Sequence, residues 1–100
     1  MMSDYGTMLR KHRRLAILRF LKDCDGYAAN GSIIRDVLNG VGVTSTTDQV
    51  TTELAWLKEQ GLITLDDLGA LLLATATTRG VEIAQGIASH PDVQRPSPRA

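Results

Sequence analysis

In the segment RRLAILRFLKDC, apolar residues fall at Leu15, Ile17, Leu18 and Leu21. That spacing lays one broad apolar stripe along a helix. Ser3 and Asp4 are residue types that cap a helix N-terminus, and Asp25-Gly26 is a turn signal, so the first helix is predicted over residues 4–22. In NGSIIRDVLNGVG, Ile34, Val37, Leu38 and Val41 follow the i, i+3, i+4, i+7 pattern behind Asn30, a good N-cap. This predicts a second helix over 30–40, with Asn39-Gly40 as a left-handed stop. A third is predicted over 46–60 in STTDQVTTELAWLKEQGLI. There Thr46 and Gln49 form a capping-box pattern, Val50, Leu54 and Leu57 line one face with Ala55 beside them, and Gly61 ends the helix.

After Gly61 the period changes. LITL and ALLLATA, separated by DDLG, read as a hairpin over 62–76 with Asp66-Asp67 at its tip. Thr77 or Thr78 caps a last helix over 77–89, with Ala84, Ile87 and Ala88 turned inward, and His90-Pro91 stops it. All three prolines lie in residues 91–100, which predicts an extended tail that buries almost nothing after a single domain over 1–90. The expected fold class is mainly α (α+β), in the order α-α-α-β-β-α. A helix-turn-helix followed at once by a two-stranded hairpin is a winged helix-turn-helix.

Bulk properties narrow the setting more than the chemistry. The sequence has 100 residues, 43% hydrophobic and 22% charged, which suits one domain with its own core. One cysteine, Cys24, excludes an internal disulfide framework and suits a reducing compartment. No stretch is long and apolar enough for a membrane span, and none reads as a signal peptide, so no membrane contact and a cytoplasmic location in a bacterial host cell are expected. Net charge is zero, but it is divided: residues 1–22 sum to +5 and the rest to −5. Such a split suggests a two-faced surface.

The blocks RLAILRFL, SIIRDVL, TTDQVTTELAWLKEQGLIT and LATATTRGVEIAQG resemble those of a small winged-helix protein of Mu-like phages and prophages, a group described as similar to ArsR-type regulators. The resemblance covers about residues 13–96, and includes a V-x-R-P ending at Val93, Arg95 and Pro96. It implies the winged-helix fold and a phage origin. ArsR-type metal sensors place cysteine clusters on the corresponding helix. Here that helix has neither cysteine nor histidine, so metal sensing does not carry over.

Several groups are candidates for function. Thr47, Gln49, Thr51 and Thr52 are expected on the outer face of the third helix, with Glu53 and Trp56, where hydroxyl and amide groups can reach base edges. The plain alternative is a solvated polar face. It is favoured by the helix's net charge of −2, because affinity for DNA rests largely on phosphate neutralisation. Asp66-Asp67 would likewise repel phosphate. Arg10, Lys11, Arg13 and Arg14 crowd about one turn of the first helix and are the phosphate-contact candidates, against the alternative of a solvated helix end. Trp56 either seals the core edge or sits at a homodimer interface. Cys24, His12 and His90 make no zinc spacing, and no nucleophile has a base and an orienting group beside it. No metal, cofactor or enzymatic activity is therefore expected. Two functions remain: a DNA-binding transcriptional regulator acting as a dimer on double-stranded DNA, and a protein-interaction module serving phage assembly or binding a host protein. The fold places the first slightly ahead, although the acidic third helix and wing fit the second better.

Overall fold

The computed structural model describes residues 2–97. Four helices pack around a three-stranded antiparallel sheet: α1 (Met2–Asp23), β1 (Ala28–Asn30), α2 (Gly31–Gly40), α3 (Thr47–Glu59), β2 (Ile63–Asp67), β3 (Leu72–Ala76) and α4 (Thr78–Ala84). The class is α+β, but the element order differs from the expected one by β1. This three-residue strand pairs with β3, Ala29 opposite Ala74, and makes the sheet order β1-β3-β2. Its sequence, AAN, lacks the β-branched or aromatic residues that advertise a strand. Only the free edge of β3 makes it one. Between α1 and β1, a single 3-10 turn places Gly26 and Tyr27 at φ 65° and 58°, which reverses the chain.

The helix caps follow the sequence closely. Asn30 accepts from the Ile33 N–H at 2.9 Å. Thr46 and Gln49 make both halves of the capping box, at 2.9 and 3.1 Å. Gly61, at φ 76°, ends α3, with the Leu62 N–H donating to the Leu57 carbonyl at 3.0 Å. The stop after α2 is displaced: Gly42, not Gly40, takes the left-handed conformation, at φ 86°. The Asn39 side chain instead accepts from the Ser45 N–H at 2.7 Å and so ties the α2–α3 turn.

The core gathers Leu15, Ile17, Leu18 and Leu21 of α1, Ile34 and Leu38 of α2, Val50, Leu54 and Leu57 of α3, and Leu62, Ile63 and Ala74 from the sheet and its approach. Ala55, expected beside the inner face of α3, is exposed, and Glu53, expected outside, is buried. The last helix is shorter than expected. Gly86 at φ 80° turns the chain after Gln85, so α4 ends at Ala84 and Ile87 is 72% exposed rather than inward. α4 docks through Thr77, whose N–H donates to the Leu62 carbonyl at 3.0 Å and whose hydroxyl donates to the Gly61 carbonyl at 2.8 Å.

The described part of the tail does not hang free. Val93 is buried in the core, and the Gln94 N–H donates to the Lys11 carbonyl at 3.2 Å. The proline ring of Pro96 lies beside Gly86. One valine with no periodic neighbours gives no local signal of burial. Residues 98–100 of the expected tail lie outside the described residues.

Candidate functional site

α3 runs along the surface between the N-terminal half of α1 and the hairpin. Thr47, Gln49, Thr51 and Thr52 are all exposed, as the helical period predicts, but the structure does not bring them together as one patch. Thr47 and Thr51 line a groove of 330 Å³ with Ser32 and Arg35 of α2 and Leu71 and Leu72 of the hairpin. There the Arg35 guanidinium donates to the Thr47 hydroxyl at 3.0 Å. Gln49 and Thr52 line a second groove of 280 Å³, with Asp48 of α3 and Gly6, Leu9 and Arg10 of α1. The amide oxygen of Gln49 is engaged in the capping box.

The four basic residues of α1 also part company. Arg13 is 5% exposed; its Nε donates to the Ser45 hydroxyl at 2.8 Å, and its terminal nitrogen points to the Thr44 carbonyl at 3.4 Å. It pins the start of α3 to α1. Arg14 Nε lies 2.7 Å from Glu53 Oε1, and another of its nitrogens donates to the Asp92 carbonyl at 2.9 Å. Its guanidinium sits over the Trp56 ring at 3.8 Å from the centroid, a cation–π contact. Arg10 is exposed and donates to the Thr7 hydroxyl at 3.3 Å. Lys11 is half-buried. A contiguous basic turn in sequence thus becomes two internal arginines and two residues that reach water. The cause is tertiary: the four residues share a broad arc of α1 that faces the rest of the fold, and Ser45 and Glu53 take Arg13 and Arg14 inward.

Trp56 is half-buried and meets residues of its own chain: Arg14 on one face, and the edge of His90 at a ring separation of 5.2 Å. His90 Nδ1 accepts from the Asp92 N–H at 3.0 Å, which leaves Nε2 to donate to the Gln60 side-chain oxygen at 3.1 Å. Among the described residues no buried side-chain polar atom lacks a partner. Burial pushes the Cys24 thiol up, and the neighbouring charges of Asp23 and Asp25 push it further. Among the described residues no three His, Cys, Asp or Glu side chains gather as a metal site, and no helix is long and apolar enough to cross a membrane.

The hairpin tip is not where the alternation placed it. Asp66 and Asp67 end β2, opposite Leu73 and Leu72. The loop is Leu68–Leu71, closed by the Leu68 N–H donating to the Leu71 carbonyl at 2.7 Å, with Gly69 at φ 84°. The Asp67 carboxylate accepts from the Gly69 N–H at 3.1 Å. The tip is therefore apolar, with Leu68 59% and Leu71 41% exposed, beside two acids. Ile33 on α2 is 48% exposed. Sequence reasoning missed Leu68, Leu71 and Arg35. The signal was there in the lone Gly69, the residue best able to take positive φ in a short loop.

No family model matches the chain, and no solved structure matches it. It is similar to the uncharacterized protein gp26 of Escherichia phage Mu, at 42% identity over 95 residues, covering 95% of this chain and 98% of the relative. It is also similar to an uncharacterized protein of Haemophilus influenzae, at 41% identity over 77 residues, covering 76% of this chain and 74% of that protein. With near-complete coverage at that identity, the chain belongs to the family of the phage Mu protein gp26.

Proposed function

We propose that this is a phage-encoded winged-helix module that binds a protein, of the phage or of its host, through the face formed by α2, α3 and the hairpin. The fold reading is supported by a helix-turn-helix, α2 to α3, running directly into the β2–β3 hairpin, with β1 closing the sheet on the far side of β3. The observation that carries the function is the composition of that face. Asp66 and Asp67 stand exposed on its hairpin against Arg35, and the hairpin tip offers Leu68 and Leu71. Arg13 and Arg14, half of the basic turn that could hold phosphate, are bound to partners inside the protein. An acidic surface with apolar anchors repels a phosphate backbone and suits a protein.

The second reading, a DNA-binding transcriptional regulator, draws on one observation: Thr47 and Thr51 stand beside Arg35 at the hairpin groove, where a groove-reading helix would place its polar contacts. Fluorescence anisotropy on fragments of the phage genome, over a salt series from low ionic strength, separates the two. The interaction reading expects no saturable binding at the lowest salt. Saturable binding that weakens with a log–log slope of about −0.9 per phosphate contacted overturns it. In parallel, a partner retained from phage-infected lysate by the native chain should be lost with the pair Leu68→Asp and Leu71→Asp.

A further inference from the structure

One face of α1 is only partly covered by the fold, and its N-terminal half is the more exposed. Counted at 100° per residue, Tyr5, Met8, Leu9, His12, Ala16 and Arg19 fall on a single stripe on the side away from Ile17, Leu18 and Leu21. Along its C-terminal half the stripe forms the floor of a groove of 470 Å³, walled by Val37, Val41 and Val43 at the α2 end. Along its N-terminal half there is no such wall, and Tyr5 is 67% and Met8 48% exposed. Val41, at the groove's rim, is 62% exposed. A single helix thus carries on the same face both an apolar projection and a groove with apolar walls rimmed by His12, Arg19 and Asp23, about 16 Å apart at 1.5 Å per residue between Met8 and Arg19.

We infer that this stripe is the contact between two copies of the chain, with the α1 helices antiparallel about a two-fold axis near His12. That register is the one in which projection meets groove. Residues whose numbers sum to 24 then lie opposite one another: Met8 faces Ala16 of the second copy, a large side chain over a small one, and Tyr5 faces Arg19 of the second copy, where the ring can lie against the guanidinium. Charge agrees with this occupant. Asp4 and Tyr5 come within one turn of Arg19 of the second copy, while Arg10 and Arg14 lie on the far side of α1 and Arg13 is turned inward to Ser45, so these three charges are kept out of the contact. A two-fold contact uses the same patch twice, and this patch is complementary to itself. The inference is independent of what the α2–α3–hairpin face binds.

Two measurements test it. In sedimentation velocity on the full chain at tens of micromolar, a dimer is expected. Met8→Glu should weaken it by at least about tenfold, because a carboxylate would be desolvated in an apolar contact, with helicity and melting temperature held. Ile87→Glu, at an exposed apolar residue elsewhere, should leave the dimer intact. The second measurement fixes the register. In a Cys24→Ser background, His12→Cys should form an intermolecular disulfide on mild oxidation, since position 12 meets itself across the axis, and Tyr5→Cys should not. A monomer at high concentration, a dimer indifferent to Met8→Glu, or crosslinking at position 5 in place of 12 would each overturn the assignment.

Discussion

Arg14 and Glu53 are held 2.7 Å apart between α1 and α3, with their side chains 12% and 3% exposed. Thirty-nine positions separate them in the chain. The pair converts two charges that local sequence places on surfaces into an internal tie, closed on the outside by Trp56.

Removing one partner should therefore cost far more than removing a nearby surface charge. Arg14→Ala leaves the Glu53 carboxylate buried without its counter-charge, and a loss of about 3–5 kcal/mol is expected. Arg10→Ala should stay within about 0.5 kcal/mol of the native chain. Replacing both members, Arg14→Met with Glu53→Leu, should recover much of the loss, because the desolvation penalty goes with the pair. Urea denaturation of the four proteins measures this. Equal, small effects of Arg14→Ala and Arg10→Ala would mean the pair opens in solution.

The tail should contribute to stability. A chain ending at His90 lacks the buried side chain of Val93 and the Asp92 carbonyl that Arg14 holds. Burial of one valine is worth about 1.5–3 kcal/mol. For a domain of this size each kcal/mol corresponds to roughly 4–8 °C of melting temperature. Val93→Asp in the full chain should do at least as much harm. Unchanged melting of the shortened chain, as its proline-rich sequence alone suggests, would show that the docking seen here does not hold the tail.

Gly80 should resist any side chain. A Cβ there would fall on the carbonyl oxygen of Leu62, a backbone atom at the start of the hairpin, with a Leu18 methyl close behind. Gly80→Ala has a favourable helix propensity, yet overpacking of this kind costs typically about 1–3 kcal/mol. Thermal denaturation should show a clear loss. A gain would mean α4 can slide away from the sheet.

Cys24 should alkylate slowly. Its thiol is pushed up by burial and by Asp23 and Asp25, so less thiolate is present at a given pH than for an ordinary cysteine. The iodoacetamide rate at neutral pH should fall below that of a free thiol and climb as the pH passes above the ordinary thiol range. Neutralising both neighbours, Asp23→Asn with Asp25→Asn, should raise the neutral-pH rate. A rate at or above that of the free thiol would contradict the environment described.

How much of this was legible in the sequence depends on the range of each interaction. The N-caps, the stop of α3 and its core face are encoded within a few residues. Asn30, the Thr46–Gln49 box, Gly61 and the Val50, Leu54, Leu57 face could be read directly, because each signal and the structure it specifies lie in the same turn. The hairpin was legible as two strands but not in its register, since LDDLGAL allows either pair of positions to form the tip until cross-strand pairing chooses. Three features belonged wholly to the tertiary structure. β1 is a strand only because β3 has a free edge for it. Val93 is core only because the tail folds back on α1, where Gln94 bonds the Lys11 carbonyl. The basic turn of α1 divides because Glu53 and Ser45 arrive from α3 and its approach to take two arginines inward. In each case the deciding partner lies far along the chain, and no local period or propensity records it.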